Sequence, residues 1–141
     1  MLGKGIGLLV ILIIVSSVTP VFALTELERA SVSEPRLETS FGAAIGNDIN
    51  IDQQIQISAD ITNHQSRSQN FVYFVQIKND ADMVVSLGWI SGQLNPEQKL
   101  NPSLSWTPKI PGKFEVEIFI WGGIANHNAL TESDSIQISV S

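Results

Sequence analysis

The chain contains no cysteine among its 141 residues. It therefore cannot form a disulfide framework, a thiolate zinc site, an iron–sulfur cluster or a cysteine nucleophile. Basic residues are also few, since eight Lys and Arg stand against fourteen Asp and Glu, and the formal net charge is -6. Phosphate neutralisation requires clustered Lys and Arg, so nucleic acid is not expected as a partner. The length suits one domain with a short appendage.

Catalytic signatures are missing as well. No Gly-x-Ser-x-Gly nucleophile elbow is present, and Gly122-Gly123 precedes no predicted helix that could bind phosphate. The acidic pair Glu115 and Glu117 is expected beside Lys78. Asp80 and Asp82 belong to a predicted turn that offers too few oxygen ligands for calcium. The sequence therefore predicts a protein that is not an enzyme and carries no cofactor.

The amino terminus has the pattern of an export signal. Charge is absent from Gly5 to Thr25, and the run Ile6–Val15 after Lys4 is almost wholly aliphatic. A short positive start, about ten apolar residues and small residues beyond them are typical of a secretory signal peptide. The residues Val21-Phe22-Ala23 predict cleavage after Ala23, which assigns residues 1–23 to the signal peptide.

Two alternatives remain for this segment. The stretch 5–24 just reaches the length of about 20 residues that a membrane helix needs, so an uncleaved anchor would make residues 1–24 the protein's one membrane contact. A cut after Lys4, as in pilin or archaellin precursors, is disfavoured because Pro20 stops the apolar helix early. In every case the rest of the chain is expected outside the cytoplasmic membrane, either secreted or at the cell surface.

Residues 24–36 are predicted to be a linker, and Leu37–Phe41 is predicted to be the first strand. From Ile49 onward the hydrophobic period is two, most clearly in Gln54–Thr62, and turn signals recur about every ten residues. Further strands are predicted at Phe71–Lys78, Val84–Ile90, Ser103–Trp106, Lys113–Trp121 and Asp134–Val140. About seven short strands with one apolar face each predict an all-β, seven-stranded antiparallel sandwich over residues 37–141.

A family resemblance supports this fold. The turn Trp106-Thr107-Pro108 and the return Pro111-Gly112-Lys113-Phe114-Glu115-Val116 resemble immunoglobulin-like or fibronectin type III-like modules. The type is the cell-adhesion-related one found in exported archaeal and bacterial proteins. The resemblance covers residues 37–141 and lacks the cysteine pair of antibody domains. It implies a surface-attached binding, spacer or assembly module.

Two predicted strands carry the main candidate site. If Phe71–Lys78 and Lys113–Trp121 pair antiparallel with Val75 and Ile118 facing the core, the opposite side chains face outward. Lys78 and Gln76 then lie near Glu115 and Glu117, which supports the register. The other end of the same face carries an apolar patch, large enough to suggest partner contact unless the chain itself covers it. We call this set the aromatic patch: Val72, Phe74, Phe119 and Trp121.

The other two tryptophans are expected in the core. A five-residue connection Asn79–Met83 turns Val85, Leu87 and Trp89 inward, whereas a four-residue loop would place them on the outer face and enlarge the aromatic patch. Trp106 is expected beside Leu104 in the interior.

The two histidines, His64 and His127, lie in predicted loops at the same end as the aromatic patch. They are weak candidates for copper or zinc, because a site needs three or four ligands and no short-spaced motif is present. The sequence thus predicts a non-enzymatic module that contacts an unidentified protein at the cell surface or in the envelope. The alternatives are a structural subunit of an envelope or pilin-like filament and a small metal-binding protein.

Overall fold

The computed structural model describes residues 24–141, and their regular secondary structure is almost entirely β-strand. A three-residue 3-10 turn, Glu26–Glu28, comes first. Ten strands follow within the described range: β1 (Ala30–Glu38), β2 (Ala44–Ile45), β3 (Asp48–Ile49), β4 (Ile55–Asn63), β5 (Gln69–Asn79), β6 (Val84–Leu94), β7 (Lys99–Leu100), β8 (Ser103–Trp106), β9 (Gly112–Trp121) and β10 (Asp134–Val140). The all-β prediction is confirmed.

The predicted export signal and its hydrophobic helix, residues 1–23, lie outside the described residues. Between residues 24 and 141, no helix is long and apolar enough to cross a bilayer.

The strands form two sheets that enclose one core. The first sheet has the order β2-β1-β4, with β7 and β8 both paired to β4, and the second has the order β3-β10-β9-β5-β6. The predicted count of seven strands is wrong, because three two-residue strands (β2, β3 and β7) extend the sheet edges. The antiparallel prediction also has an exception, since β3 pairs parallel to β10, with Asp48 opposite Ser139.

The predicted linker, residues 24–36, is in large part a strand. β1 begins at Ala30 and pairs with β4 on both sides of a bulge between Ser33 and Arg36. Proline can occupy a strand at a bulge because its missing N–H breaks no regular ladder bond there, and Pro35 does so here. The predicted first strand, Leu37–Phe41, ends early at Glu38, and Phe41 lies in a turn with 98% of its surface exposed.

The core is lined by the alternate residues that the sequence predicts. Every second residue of β4 from Ile55 to Ile61 is buried, as are the inward-facing residues of β5 and β9. Those of β5 and β9 are Phe71, Tyr73, Val75, Ile77, Phe114, Val116, Ile118 and Ile120. Burial of one face per strand supplies most of the driving force for a sandwich without disulfides.

One buried hydroxyl links the two sheets. Tyr73 of β5 is fully buried, and its phenol donates a hydrogen bond of 3.0 Å to the carbonyl oxygen of Ile57 in β4. Burial raises the pKa of Tyr73 well above its ordinary value, so the phenol stays neutral and remains a donor. This bond fixes how the sheets sit against each other at the middle of the core.

Replacing Tyr73 by Phe keeps the ring and removes only the hydroxyl. We expect the free energy of unfolding to fall by about 1–2 kcal/mol, because the Ile57 carbonyl loses a partner inside the core. Urea denaturation measures this, with Ser91→Ala as a control that removes an exposed hydroxyl and changes stability by less than about 0.5 kcal/mol. Equal effects in the two variants would contradict the proposed role of the bond.

The outer face of the first sheet is polar. Asp60 of β4 points away from the core, yet its side chain is only 5% exposed because two cations cover it. Lys99 Nζ lies 2.7 Å from one carboxylate oxygen and Arg36 Nη1 lies 3.0 Å from the other, which also accepts a hydrogen bond from Asn101. The Lys99 contact, followed by those of Arg36 and Asn101, holds the pKa of Asp60 below its usual value.

This network makes stability pH-dependent. A carboxyl group whose pKa is lower in the folded state stabilises the fold at pH values above the unfolded pKa, and the benefit is lost as the pH falls through the folded pKa. We therefore expect the free energy of unfolding to decline below about pH 4. Asp60→Asn should lower the free energy of unfolding at pH 7 by about 1–3 kcal/mol. It should also reduce the fall in that free energy below about pH 4, as measured by urea denaturation at a series of pH values. If the variant loses stability at low pH as the wild type does, Asp60 is not the cause of that loss.

Candidate binding surface on the second sheet

The register predicted for β5 and β9 is confirmed. Val72 lies opposite Trp121 and Phe74 opposite Phe119, and further along Lys78 lies opposite Glu115. The four residues of the aromatic patch therefore share the outer face of the second sheet. Their position follows from two facts visible in the sequence, the period of two and the antiparallel direction.

The three rings of the aromatic patch form one cluster. Phe74 stacks on Trp121 with ring centres 4.8 Å apart and planes 18° from parallel. Phe119 meets Phe74 edge-on at 6.0 Å and lies 5.9 Å from Trp121. All three rings are half-buried, whereas Val72 is only 2% exposed although it lies outside the core cluster. Val72 is therefore covered, and the three rings form the exposed part of the patch.

The loop that follows β9 covers one end of this cluster. Trp121 forms an isolated bridge with Ala129, and the Gly122 N–H donates to the Asn128 carbonyl at 2.9 Å. The His127 ring lies 5.3 Å from the Trp121 ring. Of the two alternatives for the aromatic patch, internal covering thus holds in part, at the Trp121 end. The side toward β6 has no such cover among the described residues.

The expectation that Trp89 is buried is wrong. The connection does place Lys78 opposite Val84, as five residues require, but a bulge follows, and Ile77 lies opposite Ser86. The additional residue, Val85, moves every later side chain of β6 to the other face. Trp89 therefore lies opposite Phe74 on the outer face, and its side chain is 51% exposed.

The inner face of β6 confirms this inversion. Small residues face the core, including Ser86, Gly88 and Gly92. A Cβ atom on Gly92 would lie 3.1 Å from the Phe71 ring, so glycine is what lets that ring pack there. Glycines spaced four apart share one face of a strand, and this was the sequence signal for the inward face.

The candidate surface is therefore larger than the aromatic patch. Leu87, 51% exposed, lies next to Trp89 on the same face. We call this enlarged set the outer-face surface: Phe74, Leu87, Trp89, Phe119 and Trp121. β6 is also the last strand of its sheet, and no charged residue occurs from Met83 to Leu94. Uncharged edge strands of this length are open to pairing with another chain.

Charged groups border the outer-face surface at the turn end of the sheet. Lys78 Nζ lies 2.6 Å from a Glu117 carboxylate oxygen and 3.0 Å from one of Asp82. These contacts, the Glu117 one first, raise the pKa of Lys78. The prediction that Lys78 lies beside the acidic residues of β9 is thus confirmed. These ion pairs mark the border of the apolar surface.

The remaining candidates have separate surroundings. Trp106 is half-buried, packs against the core and meets the Phe114 ring edge-on at 5.3 Å. His64 Nε2 is hydrogen-bonded to the Ser31 hydroxyl at 2.8 Å, whereas His127 lies against Trp121. In the part of the chain that the structure describes, no three His, Asp or Glu side chains are grouped to hold a metal ion.

No protein family and no curated protein matches this sequence. Solved structures do match. The C-terminal domain of wzt superposes with a TM-score of 0.66 at 12% identity, over 83% of this chain and 76% of that one. A CARDB domain from Pyrococcus furiosus, solved in complex with di-metal ions, gives a TM-score of 0.55 at 13% identity, over 84% and 97%.

A third similar structure belongs to a much longer protein. The cycloisomaltooligosaccharide glucanotransferase of a Paenibacillus species, complexed with cycloisomaltoheptaose, gives a TM-score of 0.60 at 16% identity. The match covers 78% of this chain and 14% of that one. Likeness at such low identity shows the fold alone, which is an immunoglobulin-like β-sandwich.

Proposed function

We propose that the protein is a non-enzymatic module that binds another protein outside the cytoplasmic membrane, at the cell surface or in the envelope. The observation that carries the proposal is the outer-face surface. Large apolar side chains of three adjacent strands face outward there, and Leu87 and Trp89 are each 51% exposed. Contiguous apolar surface of a few hundred Å² commonly marks an interaction site.

The contrast between the two sheets supports this reading. The outer face of the first sheet carries a satisfied polar network centred on Asp60. On the second sheet, β6 instead turns Leu87 and Trp89 outward and Gly88 and Gly92 inward. A strand that served only the monomer has no need of large apolar side chains on its solvent face. Contact with a partner would recover the burial that the monomer lacks.

Export rests on the sequence pattern of residues 1–23. An acidic module released or anchored outside the membrane would meet its partner by burying Trp89 and the aromatic patch, since Trp is enriched among the residues that dominate interface energies. The charged border at Lys78 and Glu117 would limit the contact to the apolar end of the sheet.

Partner capture from envelope extracts tests the proposal. Leu87→Ser, Trp89→Ser, Phe119→Ser and Trp121→Ser should each weaken binding, the two tryptophan variants by about 30-fold. Phe41→Ser is the matched control, because Phe41 is 98% exposed in a turn after β1 and away from this surface. If all four variants keep every wild-type partner, the proposal fails. Intact mass and cell fractionation of the native protein test the export signal.

The exposed edge of β6 favours a second candidate, a structural subunit that assembles by strand pairing. Eleven residues of β6 carry no charge and pair on one side only. Light scattering after gel filtration separates the candidates. A defined oligomer of the wild type that Leu87→Lys converts to a monomer would favour assembly, and a monomer at all concentrations would exclude it.

A further inference from the structure

Beside the outer-face surface lies an open polar cavity of about 340 Å³. It opens where β5, β6 and the loop after β9 meet. We call it the arginine pocket. Its lining consists of guanidinium, amide, hydroxyl and backbone groups and includes no acidic residue; its main side chains are those of Arg29, Arg67, Asn70, Gln93, Asn126 and Asn128.

The two arginines of the arginine pocket stand out in an acidic chain. Within residues 24–141, Arg36, Lys78, Lys99 and Lys109 all form ion pairs, whereas Arg29, Arg67 and the exposed Lys113 form none. The Nη2 atom of Arg29 is enclosed and makes no hydrogen bond within the described part of the chain. Two guanidinium groups without an ion-pair partner thus line this cavity, and both also line an adjoining cavity that contains Glu97.

The chain holds both guanidinium groups in place through neutral acceptors. Arg29 Nε donates to the Glu26 carbonyl at 3.1 Å, and Arg67 Nε donates to Gln65 Oε1 at 3.0 Å. Each contact uses the Nε donor, so it fixes the group without neutralising its charge. The other guanidinium N–H groups remain for a ligand, except the enclosed Nη2 of Arg29, and such groups make strong charge-assisted hydrogen bonds to carboxylates.

The loop that carries Arg67 is rigidly built. Asn63 is fully buried, and its amide donates to the carbonyls of Arg67 and Asn95 at 2.8 and 3.0 Å. Its Oδ1 accepts from the Gln65 N–H at 3.0 Å, and the Gln65 amide donates to Gln69 at 2.9 Å. Buried amide networks of this kind fix a loop in one conformation, which lowers the entropic cost of binding.

The arginine pocket continues the outer-face surface. Asn70 lies opposite Gln93 in the β5–β6 register, two residues from Val72 on the same face. Gly122 follows Trp121 directly, and Asn126 belongs to the loop whose His127 lies on the Trp121 ring. A ligand group in the arginine pocket would therefore have the Trp121 end of the aromatic patch beside it.

We propose that the arginine pocket binds a carboxylate group of a partner protein, carried next to an apolar side chain that rests on the aromatic patch. The guanidinium groups of Arg29 and Arg67 supply charge and donors, and the amides of Asn70, Asn126 and Asn128 line the remaining walls. The apolar half of this contact rests on the proposed function, whereas the carboxylate site stands by itself. The carboxylate is either a chain terminus or an Asp or Glu side chain.

Nuclear magnetic resonance titration of the purified full chain tests the site with small probes. N-acetyl-leucine presents an α-carboxylate, N-acetyl-glutamyl-leucinamide presents a side-chain carboxylate, and N-acetyl-leucinamide is the neutral match. We expect saturable shifts of the Arg29 and Arg67 Nε–H signals and of the Asn126 amide with at least one of the acids. The acid that binds more tightly identifies the source. Equal shifts with the neutral amide would overturn the proposal, as would tighter binding of inorganic phosphate.

Variants make the test specific. Arg29→Gln combined with Arg67→Gln should weaken carboxylate binding by about tenfold or more. Lys109→Gln combined with Lys113→Gln removes the same charge from exposed residues near the start of β9, far from Gly122, and should leave affinity unchanged. Equal losses in both double variants would reduce the effect to net charge and overturn the site.

A third variant tests the site even if the double arginine variant fails to fold. Asn126 is exposed, and Asn126→Asp keeps the acceptor for the Asn128 N–H while adding a negative charge to the arginine pocket. It should weaken carboxylate binding several-fold, and unchanged affinity would count against the site. Failure here and failure of partner capture are distinguishable, because the small probes require no partner and the capture experiment does not change the arginine pocket.

Discussion

The antiparallel pairing of β5 with β9 is the constraint on which the rest of the structure depends. It lies inside the second sheet, between β10 and β6, and its register places Val75 opposite Ile118 in the core. The same register sets the outer face, because side chains alternate strictly along both strands. A slip of one residue would bury Lys78 and Glu117 and expose the interior, so the core and the candidate surface are specified together.

The sequence predicted what depends on alternation and failed where the backbone departs from it. The inward faces of β4, β5 and β9 and the positions of Phe74, Phe119 and Trp121 follow from a period of two, and these predictions are confirmed. The bulge at Val85 is a backbone event that a count of turn residues does not contain, and it moved Trp89 to the surface. The strand nature of residues 30–36 was hidden for a similar reason, because Pro35 is typical of a break and here occupies a bulge.

The arginine pocket could not be predicted from the sequence, for a different reason. Arg29 precedes the first strand, Arg67 lies in a loop, and Asn126 follows β9, so nothing in their spacing relates them. What joins them is the closure of three separate loops at one end of the sandwich. The only hint in the sequence was composition, since the loops 63–70 and 122–128 are rich in amides and free of acids.

The bulge at Val85 has an implication for how surfaces of this kind arise. If the intact strand paired without the bulge, with Val85 opposite Ile77, Leu87 and Trp89 would turn toward an interior now filled by Phe71 and Leu104. The two glycines of β6 favour its present face, because a Cβ atom at Gly92 would lie 3.1 Å from the Phe71 ring and one at Gly88 would lie 3.6 Å from Leu104. One extra residue taken up as a bulge thus exchanges the faces of all residues beyond it, which brings a whole apolar stripe to the surface in one step.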